Sequence, residues 1–349
     1  MKTNETDNEL TFIQKIAVEI LWAICRGFAM LPYFMRHYVL GPIFYFTLRY
    51  ALRYRRRVIM TNLRNSFPDK TEKELRRICA LNYRNLSEQI INIISQSGVS
   101  DEKLCRRIRF NNADDILREV GDRNVIFMTA HFGSWEAGST MSLISRDHTF
   151  VAVYHKIENP VFDELMKRIR QHTNVKLVTM KRMIRYFIDH RDTRPVIMGL
   201  ISDQNPTYRL NFHWYRFLNQ WTVFYNGAEL LARKYDLPVY YFSPRRLKAG
   251  VYEGDLIKIY DGKEKVEDHV ITERYIRLLE KDIVATPEVW MWSHRRWKYT
   301  PPAELTEADA KGGDIEASAE AKRFSGKRSD EQTQAEELLI NPEPAAKKA

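Results

Sequence analysis

Cysteine is scarce in this chain of 349 residues: Cys25, Cys79 and Cys105 are scattered and have no metal-ligand spacing. That argues against a disulfide framework and for a reducing compartment. There is no H-E-x-x-H, no Cys/His cluster and no Walker-type glycine loop, so the sequence implies no metal. The apolar front end lacks the uninterrupted run of ~18 residues that a spanning helix needs. Its longest charge-free stretch, Tyr38–Leu48, has eleven. A cleaved signal peptide is disfavoured as well, because the apolar region begins late and no small-residue cleavage site follows it.

What is present is a folded composition, 44% hydrophobic and 29% charged, on a chain long enough for one or two domains. The net charge of +10 understates the basicity of most of it. Residues 301–349 hold 7 Lys/Arg and 11 Asp/Glu, which leaves 48 against 34, a net of +14, on the first 300. Such an excess calls for an anionic partner: nucleic acid, an acidic membrane surface or phosphorylated ligands. Composition does not choose among them.

Three regions follow along the chain. Residues 1–57 contain "ILWAICRGFAMLPYFMRHYVLGPIFYFTL" (20–48) and then "RYALRYRRR" (49–57), five arginines in nine residues. Aromatic and apolar residues followed by arginines predict a helical segment that lies in or dips into a bilayer, its arginines toward anionic headgroups. A buried helix hairpin followed by a solvated basic helix is the competing reading. Residues 58–300 form the main domain, and 301–349, with one aromatic residue, reads as a disordered polar tail.

Within the main domain, 71–120 reads as helical, opening on a capping box at Thr71 and Glu74. From residue 123, β-rich runs at Val125–Thr129, Phe150–Tyr154, Val175–Val178 and Val196–Ile201 alternate with helical stretches near 134–145, 160–172 and 180–190. That alternation predicts an α/β fold with a mainly parallel central sheet flanked by helices. Two longer strands around a turn (237–260) and a helix near 266–285 complete it.

One stretch carries chemistry. In "VIFMTAHFGSWEAG" (125–138) an apolar strand ends in His131, and Glu136 follows five positions later. Functional groups in a parallel sheet gather at the carboxyl ends of strands. Gly133 allows a tight turn, and Ser134 is a candidate N-cap whose helix would aim unpaired N–H groups at an anion or oxyanion. A histidine can take the proton from an attacking hydroxyl, and a carboxylate can orient it, so the substrate can supply the nucleophile. H-x4-E alone is a weak pattern. Strand–H-F-G-x-W-E–helix is much more specific.

With four further blocks the chain resembles the lipid A biosynthesis acyltransferases, of lauroyl or myristoyl type, within the lysophospholipid acyltransferase superfamily. The blocks are "HFGSWE", "YHKIENPVFDELMKRIR" (154–170), "SDQNP" (202–206), "FLNQWTVFYNGAELLARKYDLPV" (217–239) and "PEVWMWSHRRWK" (287–298). The resemblance spans about residues 10–299. It implies a glycerolipid acyltransferase-like fold and transfer of a fatty acyl chain from acyl carrier protein, with acyl-CoA as a possible substitute, to a hydroxyl of a lipid A precursor. It also implies the cytoplasmic face of a bacterial inner membrane, an anionic membrane surface as partner, no nucleic acid and no further cofactor. By position, His131 is the base and Glu136 its partner. Arg170, Asp203 and Gln204 bind substrate or shape the site.

Some alternatives stay open. Arg170 in "KRIR" could belong to a solvated helix face, and Asp203 could cap a turn before Pro206. The tryptophans and cations of "WMWSHRRWK" suit either a membrane–water interface or arginine stacked on core tryptophans. His294 reads as structural. Ser134 and Asn219 depart from the family pattern, which has asparagine and glycine there. The same chemistry could serve a lysophospholipid, a glycerophosphate or an aminolipid; a hydrolase and a non-enzymatic lipid-binding protein are more distant rivals.

Overall fold

The computed structural model describes residues 10–305, except 98, 146, 172–173, 207–212 and 304. The tail from 306 onward therefore lies outside the described residues. Two antiparallel-leaning helical segments come first: α1 (Phe12–Met30), then a helical run over Met35–Ala51 that contains α2 (Gly41–Phe46). Neither is long and apolar enough to cross a membrane alone; together they form a pair bent by 107°. The outer surface of the pair is apolar, with Phe12, Met30, Phe34, Tyr38, Phe46 and Leu52 among its exposed side chains. Its inner surface packs on the domain, where Cys25 of α1 meets Leu165 and Ile169. The packed inner side accords with the buried-hairpin reading.

Helix α3 (Arg56–Ser66) follows, and then α4 (Glu72–Gln96). The capping box is formed: Glu74 N donates to Thr71 Oγ1, and Thr71 N donates to Glu74 Oε2 at 2.7 Å. The expected continuous helicity to 120 is broken by a strand. After α5 (Asp101–Cys105) comes β1 (Ile108–Phe110), and only then α6 (Ala113–Val120). A three-residue edge strand carries too little alternation to show in a sequence pattern.

The centre is a seven-stranded sheet in the order β1-β9-β8-β2-β5-β3-β4. Its strands are β2 (Val125–Thr129), β3 (Thr149–Tyr154), β4 (Val175–Thr179), β5 (Val196–Ile201), β8 (Val239–Lys248) and β9 (Val251–Tyr260), besides β1. The pairings β8–β2, β2–β5, β5–β3 and β3–β4 are parallel, and β8 turns back antiparallel to β9. Helices α7 (Pro160–Arg170), α8 (Met183–His190), α9 (Gly227–Lys234) and α10 (Val270–Ala285) flank it. The mixed α/β architecture and mostly parallel sheet agree with the expectation. The central strand β2 buries Val125 through Met128, as a strand covered on both faces must.

A hairpin was not foreseen: β6 (His213–Phe217) and β7 (Gln220–Phe224) form a separate two-stranded sheet. Leu218 and Asn219 join them with φ of 49° and 63°. Two left-handed residues in a two-residue loop match the strand twist, and asparagine tolerates that conformation almost as glycine does. Asn219 therefore meets the backbone demand of a family glycine; its Nδ2 also donates to Ser66 O at 3.0 Å.

Candidate active site

Register builds the site. Parallel pairing sets Thr129 of β2 opposite Ile201 of β5. Two residues beyond each strand end, His131 and Asp203 therefore face one another. His131 Nδ1 lies 2.7 Å from Asp203 Oδ1. Asp203 is 2% exposed, and its other oxygen accepts the indole N–H of Trp290 at 2.8 Å. Burial works against ionising this carboxyl. The hydrogen bonds from His131 and Trp290, with the attraction of the imidazolium whenever His131 is protonated, outweigh it and hold the carboxyl below the usual aspartate range. An ionised Asp203 can only accept, so the imidazole proton sits on Nδ1 and Nε2 is left as the acceptor. Gln204 Nε2 approaches His131 Nε2 at 3.2 Å.

Glu136 has a different neighbour. Arg170, the last residue of α7, grips it bidentately, Nε to Oε2 at 2.8 Å and Nη2 to Oε1 at 2.6 Å. The expected histidine–glutamate pair is thus arranged as two pairs, His131 with Asp203 and Glu136 with Arg170. Helix α7 is aimed by its start: Asn159 Oδ1 accepts from Val161 N and Phe162 N, and Pro160 takes the first helical position. Arg170 is therefore no member of a solvated face, and Asp203 does more than cap a turn.

The turn after β2 is shaped by what lies against it. Gly133 has φ +62°, and a Cβ there would sit 2.8 Å from Tyr252 Cε1. The expected cap is not formed. The segment Trp135–Leu143 is a 3-10 helix, and Ser134 makes no side-chain cap. Two amides of the turn itself are engaged: Phe132 N donates to Ala130 O and Gly133 N to Val289 O. The Val289 carbonyl ends a short 3-10 helix (Pro287–Val289) that opens the segment 287–298, which passes across the histidine turn. Phe132 pairs with Trp290 as a single antiparallel bridge, and Met291 N donates to His131 O at 3.1 Å.

That segment is a core strap. Trp290 and Trp292 are 1% and 0% exposed, which removes the membrane-interface reading of these tryptophans. Buried amides hold its carbonyls: Asn82 Nδ2 donates to Glu288 O and Trp290 O, Asn85 Nδ2 to Val289 O, and Asn62 Nδ2 to Trp292 O and His294 O. Arg296 is fully buried and donates to Asn205 Oδ1, Thr222 Oγ1 and Val223 O, with its guanidinium 4.1 Å from the Phe224 ring centroid. Burial pushes its pKa down to about 9. His294, lowered by burial to about 4, is neutral and accepts from Asn205 N. Among the described residues no group of three or more His, Cys, Asp or Glu side chains is placed to hold a metal ion.

The model of the bacterial lipid A biosynthesis acyltransferase family matches residues 4–299, nearly all of the described chain. The chain belongs to this family. Similar curated members include a lipid A biosynthesis acyltransferase of Haemophilus influenzae, 25% identical over 295 residues, with 81% of this chain and 90% of the relative covered. The lipid A biosynthesis lauroyltransferase of Escherichia coli is 22% identical, covering 82% and 91%. Lipid A biosynthesis acyltransferase 2 of Shigella flexneri is 28% identical over 164 residues, 46% of this chain and 51% of its own. The family members' names describe acyltransferases, and His131, Glu136, Arg170, Asp203 and Gln204 all lie within the matched span. Sequence reasoning missed Trp290.

Proposed function

We propose that the chain transfers a fatty acyl group from acyl carrier protein, for which acyl-CoA can substitute, to a hydroxyl of a lipid A precursor. His131 Nε2 accepts the proton of the acceptor hydroxyl as its oxygen attacks the thioester carbonyl. Asp203 at Nδ1 keeps the imidazole in the basic tautomer and stabilises the imidazolium. Collapse of the tetrahedral intermediate expels the thiolate of the donor, and the imidazolium returns the proton to that sulfur. Gln204, displaced from Nε2 by the acceptor, turns its amide N–H to the developing oxyanion. Glu136 fixes Arg170 beside the site, where the guanidinium shapes it and adds positive potential.

The observation that carries this reading is a histidine anchored at Nδ1 by a buried aspartate at adjacent strand ends, its Nε2 left as an acceptor, in a member of this family. The exposed apolar face of the bent helix pair, followed by Arg53, Arg56 and Arg57 around a cleft of about 360 Å³, supports attachment to an anionic membrane surface. We place it at the cytoplasmic face of the inner membrane, where a protein-borne donor and a membrane-borne acceptor meet. The test is incubation of the purified enzyme with acyl carrier proteins bearing different chains and a lipid A precursor, the product identified by mass spectrometry. A precursor heavier by one ester-linked acyl chain supports the proposal. Release of free fatty acid alone, or acylation only of a lysophospholipid, would defeat it.

A further inference from the structure

A second polar cluster lies away from the histidine, between the bent helix pair and α4. Arg36 is 6% exposed, and its Nε and Nη1 are buried with no hydrogen-bond partner among the described residues. On α4, Asn92 Nδ2, Ser95 Oγ and both amide heteroatoms of Gln96 are buried and unpartnered too. Asn92, Ser95 and Gln96 lie three and four residues apart, on one face of α4. Asn92 and His37 close together on Gly250, where a Cβ would stand 2.8 Å from Asn92 Oδ1 and 2.9 Å from His37 Cε1. Arg36 adjoins His37 in sequence, and α4 packs against this helical run.

The charges do not balance. Glu88 is already engaged: it takes Arg246 Nε and Nη2, Gly250 N and the Tyr252 hydroxyl. Arg107 has no side-chain partner among the described residues, and burial with the Arg36 charge beside it lowers its pKa to about 10. Arg36 and Arg107 thus act on each other as like charges, and neither is bonded to a carboxylate among the described residues. Leaving buried donors and like charges unmatched is costly in a folded protein, and a bound anion removes both costs.

We propose that this cluster binds a phosphate ester. Two cations match a phosphate's charge better than that of a carboxylate, and the N–H donors outnumber what two carboxylate oxygens accept. The apolar part of the ester would occupy the adjoining cleft of about 370 Å³, whose walls include His37, Tyr38, Pro42, Tyr45, Leu81 and Ile91. The site is one residue deep from the catalytic turn: Tyr252, which abuts Gly133, bonds Glu88 and Gln89 through its hydroxyl. A membrane lipid headgroup and the phosphopantetheine arm of an acyl donor both present this chemistry.

Thermal unfolding of the full-length protein in detergent tests it without relying on acyl transfer. Millimolar inorganic phosphate raises Tm, because a ligand held only by the folded state stabilises it. Dihexanoyl phosphatidic acid acting at lower concentration than phosphopantetheine identifies a headgroup, and the reverse order identifies the donor arm. R36M removes an uncompensated charge, so without phosphate its Tm equals or exceeds the wild type's, and its phosphate affinity falls at least tenfold. N92L weakens binding independently, whereas R56M, in the exposed arginine cleft, keeps the shift. The inference is overturned if none of the three probes shifts the wild type. It is equally overturned if R36M retains the shift, or if R56M alone abolishes it.

Discussion

Replacing Asp203 by asparagine probes the site at its least exposed point. The indole of Trp290 can only donate, so the asparagine oxygen stays on it and the amide NH2 turns to His131 Nδ1. Nδ1 must then accept, the ring proton moves to Nε2, and the base is lost. The flipped amide would oppose two donors in a buried site, forfeiting a bond worth about 1–3 kcal/mol. Loss of a positioned general base costs on the order of 10²–10⁴ in kcat, or roughly 3–5 kcal/mol of barrier. Steady-state acyl transfer by purified D203N should show that fall with KM little changed. The double variant D203N/W290F sharpens the argument. Without the indole donor the amide is free to flip, its oxygen accepts from Nδ1–H, and the basic tautomer returns. D203N/W290F should therefore regain roughly tenfold or more over D203N, a coupling opposite to additive damage. D203N within threefold of wild type, or a double variant worse than either single one, refutes the tautomer argument.

Three other outcomes follow from the same geometry. Gly133→Ala places a side chain at φ +62° against the Tyr252 ring, so urea unfolding should show a loss of roughly 1–3 kcal/mol, accompanied by reduced turnover. Glu136→Gln and Arg170→Lys each break the bidentate pair; steady-state kinetics should show about a tenfold loss for each, smaller than for D203N, with little further loss when combined. His294 is held to about 4 while its unfolded counterpart titrates near 6.5. Between those values the unfolded chain binds the extra proton, so stability declines as pH falls from 6.5 to 4. Denaturant titrations across that window should give a shallower decline for H294N.

The sheet was legible because its central strands are apolar on both faces and bounded by turn residues. The helix starts at Thr71 and Asn159 were legible because capping chemistry is local. The partner exchange was not. Glu136 is five residues from His131 and Arg170 thirty-four from Glu136, and no local pattern says which carboxylate a three-dimensional turn delivers to an imidazole. The strap at 287–298 was hidden for a related reason. Its burial depends on Asn62, Asn82 and Asn85, polar residues whose inward direction shows only when helices α3 and α4 are docked. The N-terminal pair showed its apolar character but not that one side of it covers the domain.

The central claim is that His131 Nε2 removes the acceptor proton. Single-turnover transfer from a labelled acyl carrier protein to a lipid A precursor, comparing wild type with H131N at saturating acceptor, measures that step most directly. The account predicts at least a 10²-fold slower transfer by H131N, with the binding of donor and acceptor unchanged. Transfer by H131N at the wild-type rate would contradict it.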